Sequence, residues 1–406
     1  MINYYHKLIY LLPLALITGP FIPDLIVVLC SILFLIDTFR LKLFKYYKNN
    51  FFKIFVIFFL FLNLSSIFSI NSVSFKYSLT YFRYGIFVIF IYYILKNYSN
   101  SKILLGYSII TTFIILLIDG YIQFIFGKNI FFFELQEYRP NFSYVTSFFN
   151  DEKKLGGFLS RMLPLLLISF IFIREKYQNS NLNHFFSMIV FLIFFLTFLT
   201  TERVSIFITI IFFIGMFTKS NIFLKPKIIY FVIISIGLMV LFYYHPHLYL
   251  KMKSIFYSSG ILFPGYTNQG TIVGEYDLGK FIFSRFHHEQ IISSIKIFLE
   301  NPLFGIGAKN FKSIAHAWHP HNYHAQVLAE LGIFSYLIIF SLFIYFVFEI
   351  LKKYFHSLDL KNEIKFYLLI AFFLNLIPIP SADFFNNWVN IMIFLPVGYY
   401  LYINEK

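Results

Sequence analysis

Long apolar runs separated by short polar connections are the dominant pattern along this chain. An apolar run of about 17 to 25 residues is long enough to cross a bilayer as a helix. Twelve runs reach or approach that length, and we predict a transmembrane helix in each, near residues 7–19, 22–39, 52–70, 79–96, 103–126, 156–173, 185–200, 202–218, 227–244, 325–351, 364–380 and 385–402. The pattern predicts an all-α polytopic membrane protein, with helices one to nine in 1–244, a large loop in 245–324 and helices ten to twelve in 325–406.

The composition agrees with this fold class and narrows the expected partners. Of the 406 residues, 59% are hydrophobic and only 13% are charged, which is too apolar for a soluble domain. The formal net charge of +14 would suggest nucleic acid in a soluble protein, but here Lys and Arg lie between the apolar runs. The expected partner is therefore the lipid bilayer and not nucleic acid. The single cysteine, Cys30, leaves no intrachain disulfide.

The positions of Lys and Arg predict the topology, because short cytoplasmic connections are enriched in these residues. Five alternate connections carry them: Arg40, Lys42, Lys45 and Lys48; Lys96 and Lys102; Arg174 and Lys176; Lys219, Lys225 and Lys227; Lys352, Lys353, Lys361 and Lys365. The opposite turns 19–23 and 378–383 have neither residue. We therefore expect both termini in the cytoplasm. The loop 245–324, the connection 128–154 and the turn 200–205 are expected on the outer face, away from ATP.

Histidines are concentrated in the predicted outer loop and at its end. Eight of the eleven lie there, at His245, His247, His287, His288, His316, His319, His321 and His324. In WHPHNYHAQVLAELG, Pro320 suits the first turn of a helix, so we predict a helix start near 320–322. The small residues Ala325, Ala329 and Gly332 would let a neighbouring helix approach closely. His321 would lie at the helix N-terminus, where positive partial charge favours the neutral imidazole that a general base requires.

Two alternative roles for these histidines stay open. They cap a helix and lie in the membrane interface, or they bind a metal ion. His245 with His247, and His319 with His321, form two His-x-His pairs, and oxygen ligands are at hand in Glu275, Asp277 and Glu289. The chain has no HExxH motif and no cysteine-based spacing, so we expect no metal.

Two arginines are candidates for binding an anionic group. Arg203 follows Glu202 at the outer end of a predicted span, where an arginine inside the hydrocarbon costs about 2.5 to 3.5 kcal/mol unless it is paired or functional. An internal pair with Glu202, or a side chain that reaches the interface, is the alternative. Arg285 opens RFHHEQIISSIKIFLENP, whose apolar spacing predicts an amphipathic helix on the outer membrane face. Two guanidinium groups on one face suit a pyrophosphate. The stretch LFGIGAKNF lacks the pattern of a phosphate-binding loop and is predicted to be a turn.

Several of these segments resemble the O-antigen ligase and O-antigen polymerase superfamily. ENPLFGIGAKNF followed by HPHNYHAQVLAELGIFSYLIIF looks like the superfamily signature and is the most specific part. TTERVSIF and SRFHHEQIISSIKIF resemble its two arginine motifs, FNDEKKLGGFLSRMLP its middle segment and PIPSADFFNNW its C-terminal segment. The similarity runs in order from about residue 10 to residue 402.

The resemblance implies a metal-independent, inverting glycosyltransferase that uses no cofactor and no nucleotide. It would move a glycan from undecaprenyl pyrophosphate to an acceptor sugar hydroxyl on the periplasmic face of a bacterial inner membrane. By motif, His321 would be the base and His319 a supporting neighbour, while Arg203 and Arg285 would bind the pyrophosphate. Further candidates are Lys153, Arg161, Asp383 and Asn322.

The resemblance leaves the acceptor open. A ligase would use lipid A-core in lipopolysaccharide biosynthesis, whereas a polymerase would use another lipid-linked glycan. A rival from a different class is a transporter of lipid-linked saccharide, which would explain the spans and the arginines without catalysis. The sequence shows no internal repeat of the kind found in many transporters, and transport leaves the histidine cluster unexplained.

Overall fold

The computed structural model describes residues 4–137, 143–178, 181–219, 227–246, 249, 285–315, 317, 319–355 and 359–405. Most of these residues are helical. A 3-10 helix, Tyr4–Leu11, begins the described part of the chain, and the α-helices within the described ranges are α1 Leu12–Ala15, α2 Phe21–Arg40, α3 Asn50–Ile67, α4 Val73–Thr80, α5 Phe82–Asn97, α6 Ser101–Phe126, α7 Leu155–Tyr177, α8 Asn181–Leu199, α9 Arg203–Lys219, α10 Lys227–Tyr244, α11 Arg285–Glu300, α12 Phe311–Ala315, α13 Tyr323–Tyr354, α14 Leu360–Leu376 and α15 Asn387–Glu405. Two short strands, β1 Gln136–Glu137 and β2 Ser143–Tyr144, pair antiparallel.

The predicted class, an all-α polytopic membrane protein, is confirmed. Within the described ranges, seven helices are long and apolar enough to cross a membrane: Phe21–Arg40, Asn50–Ile67, Val73–Asn97, Ser101–Phe126, Leu155–Tyr177, Leu182–Leu199 and Tyr323–Tyr354. Helical structure also lies at the other predicted segments, including the shorter apolar helices Arg203–Thr218 and Ile234–Tyr244. The number of twelve spans and the large outer loop stay predictions.

The chain forms two compact units. The first contains Met1–Leu16, Pro20–Ser101 and Arg285–Lys406, and the second contains Ile17–Gly19 and Lys102–Ser284. The first unit is thus built from both ends of the chain.

Helix α5 is the centre of one side of the first unit and packs against α2 and α15. Nearly every side chain of α5 is buried, which leaves little room for solvent or lipid on any of its faces. The buried Arg83 lies 3.3 Å from the Asp24 carboxylate and donates a 2.9 Å hydrogen bond to Asn387 Oδ1. Asn387 in turn donates to Asp24 at 3.0 Å. These bonds join α2, α5 and α15, because a buried arginine must find partners for its charge.

Helix α13 is broken at Gly332, whose φ of 73° and ψ of −172° are not helical. The loop that follows α11 approaches the break: Ile333 N donates to Pro302 O at 2.9 Å, and Gly307 N donates to Glu330 O at 2.8 Å. A Cβ on Gly332 would overlap the carbonyl oxygen of Leu303. The close approach expected from a neighbouring helix is therefore made at Gly332 by a loop. The LFGIGAKNF stretch is a turn, as predicted, with positive φ at Gly305 and Gly307.

Helix α11 has the predicted helical structure, and one of its faces packs against the chain. Gln290, Ser294 and Ile297 are buried, and Ile297 packs in a small core with Ile306, Phe311 and Ala329. Three apolar residues of the helix, Ile292, Ile295 and Leu299, are exposed on the surface of the chain. The helix packs against α13, and its placement on a membrane surface stays a prediction.

Helix α7 is the centre of the second unit and packs against α8 and α9. It is buried along most of its length, and the rings of Phe170 and Phe186 stack with their centroids 3.9 Å apart. The connection between α6 and α7 is fixed by Gln123, whose Oε1 accepts hydrogen bonds from Thr146 N at 2.9 Å and Ser147 N at 2.7 Å. These bonds fold the connection back onto the end of α6.

Candidate active site

The first unit contains a pair of neighbouring histidines just before α13. The ring centroids of His319 and His321 are 3.9 Å apart, and both side chains are half-buried. His321 has a positive φ of 53°, and its carbonyl oxygen accepts a 2.8 Å hydrogen bond from Ser381 N. The side chain of Asn322 caps the helix by accepting a 3.1 Å hydrogen bond from Ala325 N. The helix begins at Tyr323, so Pro320 and His321 precede it and are not in its first turn.

Burial makes both imidazoles poor proton acceptors from bulk water. It lowers the pKa of His319 to about 4, and the neighbouring His321 lowers that pKa further, whereas Asp383 opposes the shift. Burial also lowers the pKa of His321, against the opposing influence of the Ser381 backbone and Asp383. These shifts favour the neutral form of both rings at neutral pH, whereas the sequence led us to expect a neutral ring at His321 alone. The cause is desolvation by the surrounding chain, and not the helix terminus to which the neutral state was attributed.

The ring of a third histidine, which belongs to α11, lies near this pair. The ring centroid of His287, in the first turn of α11, lies 5.4 Å from that of His321. Arg285 is the first residue of the same helix, two positions before His287. The position of its guanidinium group lies outside what the structure describes, as do His247, Glu275, Asp277 and His316.

A partly buried set of hydrogen-bonded polar side chains lies beside the histidines, and only one of its members, Asp383, is among the residues predicted from the sequence. Gln326 Nε2 donates to Glu330 Oε2 at 3.0 Å and to Asp383 Oδ1 at 2.8 Å. The other oxygen of Asp383 forms an ion pair with Lys309. Lys309, Asp383, Gln326 and Glu330 thus form one connected set of hydrogen bonds and ion pairs. A glutamine and a glutamate four residues apart in an apolar run were the available signal, because polar groups inside a span are costly unless paired.

The candidates of the second unit surround the start of α7. Glu202 Oε1 accepts a 2.8 Å hydrogen bond from Gly156 N, and Oε2 accepts one of 2.9 Å from Gly157 N. Ser205 Oγ also donates to Oε2 at 2.9 Å. The carboxylate thus satisfies N–H groups at the N-terminal end of α7 that have no partner within the helix. Arg203 is the first residue of α9, directly after Glu202.

Burial and neighbouring charges shift the pKa values of two ionisable groups near the start of α7, Glu202 and Lys153. Burial raises the pKa of Glu202, against the hydrogen bond from Ser205, those from the backbone, and the charge of Arg161. Burial lowers the pKa of Lys153, where Glu202 opposes the shift and Arg203 adds to it. Lys153, Arg161 and Arg203 therefore belong to one electrostatic cluster around Glu202.

The predicted site residues are thus found in two groups. His319, His321, Asn322 and Asp383 are brought together in the first unit, which also contains Arg285. Lys153, Arg161 and Arg203 are brought together in the second. The convergence of Arg203 with Arg285 and His321 stays a prediction.

These features define an all-α polytopic membrane protein with a candidate site of neutral histidines beside buried carboxylates. No protein-family model matches the chain, and no curated protein does. The resemblance to O-antigen ligases therefore rests on the motifs given above. Among the residues with a described position, no group of three or more His, Cys, Asp or Glu is placed to hold a metal ion. The expectation that the site works without metal or cofactor stays a prediction.

Proposed function

We propose that this protein is an O-antigen ligase-type glycosyltransferase of a bacterial inner membrane. It moves a glycan from undecaprenyl pyrophosphate to a sugar hydroxyl of lipid A-core on the periplasmic face. The observation that carries the proposal is the pair of neutral imidazoles of His319 and His321, which precede α13 within the motif that resembles the superfamily. Twelve spans, cytoplasmic termini and a periplasmic loop over 245–324 are parts of the same proposal.

The neutral imidazole of His321 suits the role of general base in this reaction. It takes the proton of the acceptor hydroxyl as the oxygen forms a bond to the anomeric carbon. The bond from that carbon to the pyrophosphate oxygen breaks on the opposite face, so the configuration inverts and undecaprenyl pyrophosphate leaves. A positioned general base contributes about 10² to 10⁴ in rate.

The leaving group gives the arginines their proposed role. Negative charge grows on the pyrophosphate in the transition state, so fixed cations stabilise that state more than the ground state. Arg203 and Arg285 are proposed to bind this group with paired hydrogen bonds. The diphosphate ester bond already supplies the driving force, which is why no nucleotide or other cofactor is required.

Purified protein tests whether the function is catalytic. With a lipid-linked glycan donor and a lipid A-core acceptor, we expect a glycosidic product and free undecaprenyl pyrophosphate. A transporter of lipid-linked saccharide would yield no such product, and its absence with an active donor and acceptor would overturn the proposal.

Deletion of the gene in its host separates a ligase from a polymerase of the same superfamily. Loss of a ligase leaves bare core lipopolysaccharide, with long glycan remaining on its lipid carrier. Loss of a polymerase leaves core that carries at most one repeat unit. We expect the first pattern, restored by the wild-type gene and not by His321→Ala.

A further inference from the structure

Two polar side chains on the first part of α13 are almost completely buried. Gln326 is 1% exposed and Glu330 is 0% exposed. They are four residues apart, so they share one face of the helix. A buried amide or carboxylate lowers stability unless its atoms find hydrogen-bond partners. Their partners therefore indicate what these two residues do.

The amide of Gln326 binds three different groups. Its Nε2 donates to Glu330 Oε2 at 3.0 Å and to Asp383 Oδ1 at 2.8 Å, while its Oε1 accepts from Phe384 N at 2.8 Å. A carboxylate could accept from Phe384, but it could not donate to two acceptors. The amide is therefore the functional group that this position requires.

Each partner of Gln326 is itself held in place. Glu330 Oε1 accepts a 2.9 Å hydrogen bond from Phe311 N, at the start of α12. Asp383 Oδ1 also accepts a 2.9 Å bond from Phe385 N, and Oδ2 pairs with Lys309. The loop that contains Asp383 also contains Ser381, whose N–H donates to the carbonyl oxygen of His321 at 2.8 Å.

We propose that Gln326 is a positioning residue, which together with Glu330 fixes the Asp383–Lys309 ion pair beside the histidine pair. A carboxylate that was free to turn toward His321 would stabilise the imidazolium, which cannot accept a proton. Shared between Gln326 and Lys309, the Asp383 carboxylate leaves the imidazole neutral. The titratable groups found near His321 include His319 and His287, whose rings approach its ring, and Asp383, which acts on it electrostatically and pairs with Lys309.

The effect on transfer rests on the proposed function, but the placement of Asp383 can be tested without it. The variant combines Gln326→Glu with Glu330→Gln. The hydrogen bond between these positions re-forms with donor and acceptor exchanged, and the bonds from Phe384 N and Phe311 N are kept. The donor to Asp383 is lost and is replaced by a carboxylate, and the Glu330 carboxylate, which also accepts a hydrogen bond from the Lys309 backbone, becomes an amide.

The readout is the reaction of diethyl pyrocarbonate with unprotonated histidine, measured against pH by tandem mass spectrometry. In the double variant we expect the midpoint at His321 to rise by about one pH unit, because an uncompensated carboxylate stabilises the imidazolium. The exposed His184 in the same digest is the reference, and its midpoint should not move. Thermal unfolding of the double variant in detergent should remain a single cooperative transition, which shows that the fold is kept, at a lower midpoint because two carboxylates then face each other in a buried site.

Transfer measured on the same preparations completes the test. We expect a lower kcat with an unchanged KM for the acceptor. An unchanged His321 midpoint together with wild-type kcat would overturn the positioning role and reduce Gln326 to a packing residue. A wild-type protein that makes no glycosidic product would overturn the proposed function, whereas a shifted His321 midpoint in the variant would still support the positioning of Asp383.

Discussion

The imidazole rings of His319 and His321 lie with their centroids 3.9 Å apart and their planes tilted by 57°. At this separation a proton on one ring raises the free energy of a proton on the other, since like charges in a half-buried site repel strongly. Burial adds to this effect and lowers the pKa of both rings. The pair therefore keeps a neutral acceptor available over a wider pH range than a single exposed histidine.

Replacement of the proposed base gives the most direct prediction. His321→Ala is expected to lower transfer by about 10² or more, because the proposed general base is removed. Membrane insertion and the unfolding midpoint should stay near those of the wild type. His184→Ala, which removes an exposed ring of α8, is the matched control and should transfer normally. Equal activity in the two variants would remove His321 from the mechanism.

The pH dependence of kcat/KM follows from the lowered pKa of His321. An exposed histidine loses half of its neutral form at a pH of about 6.5, whereas the acid limb for this protein is expected below that value. Stability depends on pH in the same direction. His321 takes up its proton at lower pH in the folded state than in the unfolded chain, so its protonation lowers the free energy of unfolding as the pH falls below about 6.5. An acid limb above 6.5 would show that burial does not control the base.

The arginine candidates are tested by keeping their charge and changing their geometry. Arg203→Lys and Arg285→Lys each lose the paired hydrogen bonds of a guanidinium, so we expect transfer to fall about tenfold or more. The exposed Arg40→Lys at the end of α2 is the control and should leave transfer unchanged. Normal turnover in both test variants would mean that these arginines serve only the structure.

The helices could be predicted from the sequence because apolar runs and helix breakers are local signals. The helix at 285–300 is found as predicted, but the sequence does not show which of its residues pack against the chain: Ile297 is buried, whereas Leu299 is 69% exposed. Similarly, α13 was predicted as a continuous helix, because the sequence does not show that a loop carbonyl at Leu303 displaces the helical conformation of Gly332.

The sequence predicts only those residues of the candidate site that lie in the recognised motifs. The histidines and Asp383 were identified, but the bond between Gln326 and Asp383 joins residues separated by 57 positions. Contacts of this kind depend on the packing of α13 against the loop before α15, which no spacing rule describes. Glu330 lies in an apolar helix and is likewise not among the site residues predicted from the sequence, although it is the buried acceptor for Phe311 N.

The absence of a metal requirement is tested by removing divalent ions. Because the proposed reaction uses a histidine base and arginine cations, transfer should continue in excess chelator at its untreated rate. The same sample after readdition of zinc is the control and should show no gain. Activity that disappears with the chelator and returns with zinc would favour the His-x-His pairs as metal ligands.

Gly332 is predicted to be essential for the loop that carries Lys309. With a φ of 73°, Gly332→Ala introduces backbone strain of about 1 to 3 kcal/mol, and its Cβ overlaps Leu303. We therefore expect a lower unfolding midpoint and weaker transfer, since displacement of this loop moves Lys309 away from Asp383. Gly106→Ala in α6 is the control: it is helical, and its new Cβ would lie 3.3 Å from the Ser169 side chain, a contact that small shifts relieve. Equal unfolding midpoints in the two variants would show that the loop can move away from the break in α13 without loss of stability.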